Sequence, residues 1–119
     1  MQSKALGFNP SSITSSPYLR ARQSADAVAG SLGFQEITLT SVRLTPDSSP
    51  SDLWQEIREI ASDSLLLVSH EPLLSTAAAW MTGETRVMIE FYPGTLVRID
   101  FETIGLAPKG QFRWRIDGN

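Results

Sequence analysis

Residues 65–72, Leu-Leu-Leu-Val-Ser-His-Glu-Pro, decide the fold of this chain. The first four residues are apolar without alternation, which is typical of a strand buried on both faces in the middle of a sheet. Pro72 suits the first turn of a helix, which we predict over residues 73–81 and expect Gly83 to end. The stretch therefore predicts a strand that leads through His70 into a helix.

Residues 13–20, Ile-Thr-Ser-Ser-Pro-Tyr-Leu-Arg, repeat this layout nearer the start of the chain. A brief strand over 13–16 precedes Pro17, and apolar residues then recur at helical spacing until Gly33. In open α/β sheets, ligands bind beyond the carboxyl ends of the strands. We therefore expect Arg20 and His70 to face one crevice.

The rest of the chain predicts further alternation of strands and helices. Residues 6–8 are typical of a helix end, and residues 34–44 indicate an extended segment. Ser51 is the predicted N-cap of a middle helix. Two extended pieces are predicted over residues 88–101, and an antiparallel strand over 111–116. The order predicts an α/β domain over residues 1–119, a three-layer sandwich with a mostly parallel sheet and an antiparallel C-terminal edge.

Composition excludes several kinds of site. The chain has 119 residues, a net charge of −3 and no basic cluster, which argues against a general nucleic-acid binder. It has no cysteine and one histidine, so thiolate catalysis, disulfides and a histidine-rich metal site are excluded. We expect no cofactor. No apolar run has the length of a signal peptide or a membrane span, and we expect a cytoplasmic protein.

Arg20 and His70 are the candidate site residues. A guanidinium fork suits phosphate oxygens, an imidazole supplies a cation or proton donor near neutral pH, and helix N-termini favour anions. These parts together make a phosphate pocket. Two other interpretations stay open at this point: Arg20 as a surface arginine, and His70 as a histidine satisfied by local hydrogen bonds.

Both stretches resemble segments of the histidine phosphatase superfamily, and the whole chain resembles its SixA-type phosphohistidine phosphatases. ITSSPYLRARQSADAVA, residues 13–29, is similar to the family segment with Ser-Pro followed by Arg-Ala. LLLVSHEPLL, residues 65–74, is similar to the segment of the family's second histidine. A Leu-Thr-Pro tripeptide at residues 44–46 and a final strand containing tryptophan fit the SixA-type branch.

The resemblance implies a mechanism. In this family a histidine of an N-terminal Arg-His-Gly motif attacks phosphorus, and two arginines with a second histidine hold the phosphoryl oxygens. By position, Arg20 matches the second pocket arginine, His70 the second histidine, and Ser16 a structural or capping serine. Asp47 and Glu71 are weak candidates for a general acid.

The chain departs from the family because it contains no Arg-His-Gly. We therefore expect the first strand and most of the first helix of the family's fold to be missing, and the chain to be inactive alone. The expected partner is a phosphohistidine protein or a small phosphate ester, with self-association through the exposed sheet edge. The alternatives are a non-catalytic phosphate-binding or regulatory module and an α/β interaction domain without a phosphate site.

Overall fold

The computed structural model describes residues 8–85 and 89–118, in which five strands and three helices alternate. The strands are β1 (Ser12–Ser15), β2 (Leu39–Thr40), β3 (Leu65–Val68), β4 (Leu96–Phe101) and β5 (Gly110–Ile116). The helices are α1 (Leu19–Leu32), α2 (Pro50–Ile60) and α3 (Leu73–Thr82). The predicted α/β class is confirmed, and each of β1 and β3 leads into a helix.

The parallel sheet has the strand order β2-β1-β3. Thr14 pairs with Leu39 on one side and with Leu67 on the other, so β1 is the central strand. The prediction that Leu65–Val68 lies in the middle of a sheet is wrong for the described residues, because β3 pairs with β1 alone. Its apolar sequence is nevertheless partly buried on both faces.

The antiparallel part forms a second sheet. β4 and β5 pair in antiparallel register from Leu96–Ile116 to Phe101–Gly110. No ladder joins β4 to β3 within residues 8–85 and 89–118. The predicted C-terminal antiparallel strands are therefore present, and one edge of β3 and one edge of β4 have no strand partner in the described part of the chain.

Two apolar clusters cover the two faces of the parallel sheet. Ile13 and Leu66, paired across β1 and β3, pack with Ala25 of α1, and Leu96 of β4 contacts this cluster. The second cluster joins α2, α3 and the 3-10 turn Val42–Leu44, and its members are Leu44, Leu53, Trp54, Leu73, Ala77 and Met81. Ile99 and Phe101 of β4 pack against it. β4 thus contacts both clusters, although it does not pair with the parallel sheet.

The helix boundaries follow from local chemistry. Gly33 ends α1 in the left-handed conformation, with φ of 70°, as predicted. α2 begins two residues before the predicted site, because Ser49 is its N-cap and not Ser51. The Ser49 hydroxyl accepts from the Asp52 N–H, and the Asp52 carboxylate accepts from the Ser49 N–H. This reciprocal pair stabilises the start of the helix.

Two extended predictions are largely wrong. Within residues 34–44 only Leu39–Thr40 is strand, because the Ser41 hydroxyl accepts from the Arg43 N–H and turns the chain into a 3-10 helix. Within residues 88–101, β4 is the only strand among the described residues, so one of the two predicted extended pieces is a strand. Met88 lies outside the described residues, and so do residues 6 and 7 of the predicted helix end. Among the described helices, none has the length and apolarity needed to cross a membrane.

Candidate functional site

The imidazole of His70 lies against the carboxyl end of the central strand. His70 follows β3, and Ser16 follows β1. The N–H of Ser16 donates to the carbonyl of Val68, the last residue of β3, at 2.9 Å. This bond extends the ladder beyond the end of β1 and brings the side chains of Ser16 and His70 together. The Nε2 atom of His70 lies 2.8 Å from the Oγ atom of Ser16.

The Ser16 hydroxyl orients the His70 ring. Its Oγ accepts a hydrogen bond from the N–H of Tyr18 at 3.2 Å. The bond between Oγ and Nε2 can form with either atom as the donor, and when the hydroxyl donates, the proton of the neutral ring lies on Nδ1. In that tautomer, Nδ1 is the ring nitrogen that can donate to a ligand.

A serine beside a histidine also has the geometry of a nucleophile and its base. Ser16 does not fit that role, because its exposed fraction is 0%. A substrate would have to reach an atom that the folded chain covers. The Ser16–His70 pair therefore positions the histidine and offers no attacking hydroxyl.

The surroundings of His70 favour its neutral form. Burial lowers the pKa of His70 below its ordinary value, because the partly apolar site solvates the cation poorly. The Tyr18 ring lies against it with a centroid separation of 5.2 Å. A bound anion would reverse this tendency, since opposite charge favours the protonated ring.

The start of α1 is open to an anion. Its N-cap, Tyr18, makes no side-chain cap, and its first turn has no acidic residue. The first N–H groups of a helix have no partner within the helix and carry a positive partial charge. Arg20 lies in this turn, exposed, and forms no ion pair with any described carboxylate. Arg20 and the first N–H groups of α1 thus lie in the turn that follows the carboxyl end of β1.

The start of α3 is already occupied. The Glu71 carboxylate accepts from the Ser75 N–H at 2.7 Å, so it caps the helix that follows His70. Asp47 accepts from the hydroxyl of Thr45 in an exposed turn. Both candidates for a general acid therefore have local structural roles, and only one of the two predicted helix N-termini is free for a ligand.

The comparisons with known proteins test the fold on which this site lies. A solved structure of the protein histidine phosphatase SixA, complexed with tungstate, superimposes with a TM-score of 0.78. The chain has the SixA fold. The match has 24% sequence identity and covers 96% of this chain and 72% of that one. No protein-family profile and no curated protein matches the sequence. This likeness confirms the fold that the two sequence motifs predicted.

The two predicted site residues, His70 and Arg20, differ in the contacts that hold their side chains. His70 is fixed by Ser16 and Tyr18, whereas Arg20 starts the neighbouring helix without a hydrogen bond to His70. Sequence reasoning assigned Ser16 a general structural role and missed its bond to His70, and it did not single out Tyr18. Among the described residues, no group of three His, Cys, Asp or Glu side chains is placed to hold a metal ion.

Proposed function

We propose that this chain binds a phosphoryl group at the start of α1 and belongs by descent to the phosphohistidine phosphatases. Arg20 and the free N–H groups of α1 hold phosphoryl oxygens, and His70 donates to a third oxygen from its ring. These are the same kinds of group that stabilise transferring phosphoryl groups in general. The substrate class is a phosphohistidine protein.

The contrast between the helix starts carries this proposal. α2 has a complete capping box with an acidic residue, and α3 is capped by Glu71. α1 has neither a cap nor an acid, and it has Arg20 in the turn where a cation without an anion is unfavourable. A bound phosphoryl group removes that disadvantage.

Catalysis through a phosphohistidine intermediate needs a histidine that this chain does not supply. His70 is its only histidine, and its Nε2 atom is engaged with Ser16. We infer that the nucleophilic histidine belongs to a segment outside these 119 residues. The edges of β3 and β4 that have no strand partner among the described residues, with apolar clusters on both faces, support the insertion of such a segment as a strand.

Self-association is the proposed behaviour of the chain when that strand is absent. Unpaired strand edges are templates for pairing with another copy. We expect the 119-residue chain to form dimers or larger species in size-exclusion chromatography. An added peptide with an apolar strand sequence ending in Arg-His-Gly should shift it towards the monomer, whereas a scrambled peptide should not.

The titration of His70 tests phosphoryl binding directly. Because the chain has one histidine, its ring signals in NMR need no assignment by mutagenesis. We expect tungstate or inorganic phosphate to shift these signals and to raise the pKa of His70. Arg20→Ala should weaken binding by about tenfold, the order of one lost charge-assisted hydrogen bond, whereas Lys109→Ala should leave it unchanged.

Silence of the His70 ring at saturating anion contradicts the proposed site. Binding that Arg20→Ala and Lys109→Ala weaken equally indicates only a general charge effect. Turnover of a phosphohistidine peptide by the 119-residue chain alone contradicts the external nucleophile and assigns that role to His70.

The second candidate function is a non-catalytic phosphate-binding module. It is favoured by the engagement of the only histidine with Ser16. The two functions differ when the Arg-His-Gly peptide is added. Phosphate release in its presence supports the phosphatase, and unchanged anion binding without phosphate release supports the module.

A further inference from the structure

A polar cleft lies between α1 and residues 38–40, at the carboxyl end of the parallel sheet. Its volume is about 330 Å³, and it is lined by Ser15, Pro17, Arg22, Asp26, Thr38 and Thr40. Ser15 and Pro17 flank Ser16, the residue that orients His70. The cleft therefore adjoins the proposed phosphoryl site without sharing its side chains.

Arg22 and Asp26 both line this cleft, and Arg22 forms no ion pair with any described carboxylate. Asp26 lies one helical turn further along α1, but it accepts from the Thr38 hydroxyl at 3.3 Å and forms no ion pair with Arg22. By contrast, four other arginines of the described residues are paired with carboxylates: Arg43, Arg98, Arg113 and Arg115. The guanidinium of Arg22 is thus available to an anionic group from outside.

The neighbouring strand can accept an extended chain. β2 pairs with β1 on one side, and its other side has no strand partner among the described residues. Ile37 and Leu39 are 83% and 51% exposed beside it. An unpaired edge supplies main-chain donors and acceptors, and exposed apolar side chains supply contact area for alternate residues of an added strand.

We propose that β2 and the Arg22 cleft bind an extended segment of the phosphorylated partner polypeptide, with an acidic side chain at Arg22. This inference rests on the proposed phosphoryl site, because the segment lies beside the phosphohistidine that enters that site. The partner's main chain pairs with β2, its apolar side chains contact Ile37 and Leu39, and its carboxylate pairs with Arg22.

Asp26 makes the preference for an acidic side chain testable in both directions. Its carboxylate faces the same cleft and repels an incoming carboxylate. Removing the charge of Arg22 should therefore weaken the binding of an acidic segment, and removing the charge of Asp26 should strengthen it. A merely structural role of the two residues would not produce opposite signs.

The experiment measures dissociation constants through the His70 ring signals for three probes. The probes are free phosphohistidine, a phosphohistidine peptide flanked by glutamates, and the same peptide flanked by glutamines. We expect the acidic peptide to bind about tenfold more tightly than the amide peptide, as expected for one charged hydrogen bond. Arg22→Ala should abolish this preference, Arg22→Lys should retain part of it, and Asp26→Asn should increase it.

A second pair of variants tests the strand edge. Ile37→Ser should weaken both peptides and leave free phosphohistidine unchanged. Leu106→Ser is the matched control, because Leu106 is equally exposed, at 83%, on a different surface. Equal effects of Ile37→Ser and Leu106→Ser contradict docking on β2.

The outcomes separate this inference from the proposed function. Equal affinities of the two peptides, or an equal effect of Arg22→Ala on all three probes, overturn the inference while leaving the phosphoryl site intact. Peptide binding that depends on Arg22 without any binding of free phosphohistidine contradicts the phosphoryl site and supports the peptide surface. Absence of binding by all three probes overturns both.

Discussion

Replacing Ser16 with alanine removes the hydroxyl that connects β1, α1 and His70. That hydroxyl makes two hydrogen bonds, to Nε2 of His70 at 2.8 Å and from the N–H of Tyr18 at 3.2 Å. Each net bond contributes about 0.5–1.5 kcal/mol, so we expect the free energy of unfolding to fall by about 1–3 kcal/mol. Replacement of Ser16 by water at the Tyr18 N–H would place the loss in the lower half of that range.

The same substitution should change the titration of His70. When the Ser16 hydroxyl donates to Nε2, it favours the neutral ring in addition to the effect of burial, so its removal should move the pKa of His70 up towards its ordinary value. The loss of orientation should also weaken the binding of tungstate, although Ser16 itself is covered and contacts no ligand. Denaturant unfolding and NMR titration of the single ring measure the two effects on one sample.

Ser24→Ala is the control for this experiment. Ser24 lies on the exposed side of α1, where alanine is the better helix former, so its substitution should not destabilise the chain. If Ser16→Ala unfolds at the same denaturant concentration as the parent chain and leaves the His70 titration unchanged, the hydroxyl does not hold the ring. The proposed construction of the site is then wrong.

Three further substitutions test the chemistry of the fold. Burial lowers the pKa of His70, so its contribution to stability is complete above the unfolded pKa of about 6.5 and declines as pH falls towards the folded pKa. His70→Gln should therefore make the urea midpoint depend less on pH over this range. A pH dependence equal to that of the parent chain contradicts the assignment. Ser49→Ala should cost about 1 kcal/mol by removing the cap of α2, and Ser49→Thr should restore most of it in the same urea assay. Trp54→Phe keeps an aromatic ring beside Phe101 but leaves the carbonyl of Gly105 without the indole donor at 3.1 Å. We expect the free energy of unfolding, measured by thermal unfolding, to fall by about 1 kcal/mol. A midpoint equal to that of the parent chain would show that water replaces the indole.

The elements that the sequence predicts well have strong local signals at both ends. α1 is set by Pro17 before it and Gly33 after it, and α3 by Pro72 and Gly83. The apolar run at residues 65–68 could only be a buried strand or a short piece of helix, and its length favours the strand. These three elements were enough to place His70 and Arg20 at the carboxyl ends of neighbouring strands.

Two of the wrong predictions, the length of β2 and the start of α2, share a physical cause, which is competition from short polar side chains. Ser41 ends β2 after two residues, because its hydroxyl accepts from Arg43 N–H and donates to the Glu56 carboxylate at 2.6 Å. Ser49 and Ser51 are both acceptable N-caps by residue type, and Asp52 decides between them through its reciprocal bond. Such choices depend on partners that a propensity argument does not include.

The roles of Ser16 and Glu71 could not be predicted for a different reason. Ser16 contacts His70 across 54 positions of sequence, so their bond depends on the register between β1 and β3. A shift of one residue would turn every side chain of a strand to the other face. Glu71 was a weak candidate for a general acid, and its bond from the Ser75 N–H makes it a cap of α3.

The three helix starts show how stability and binding are separated in this chain. At α2 and α3 the chain supplies its own negative charge, through Asp52 and Glu71, and the free N–H groups are used for folding. At α1 the first turn contains Arg20 and no acidic residue, and in our proposal its N–H groups bind an outside anion. An anion that binds there adds to folding stability as the logarithm of one plus the ratio of its concentration to its dissociation constant. α1 starts without a side-chain cap and follows Ser16, the partner of His70, so an anion that fills this helix start should stabilise the fold and the proposed site in the same step.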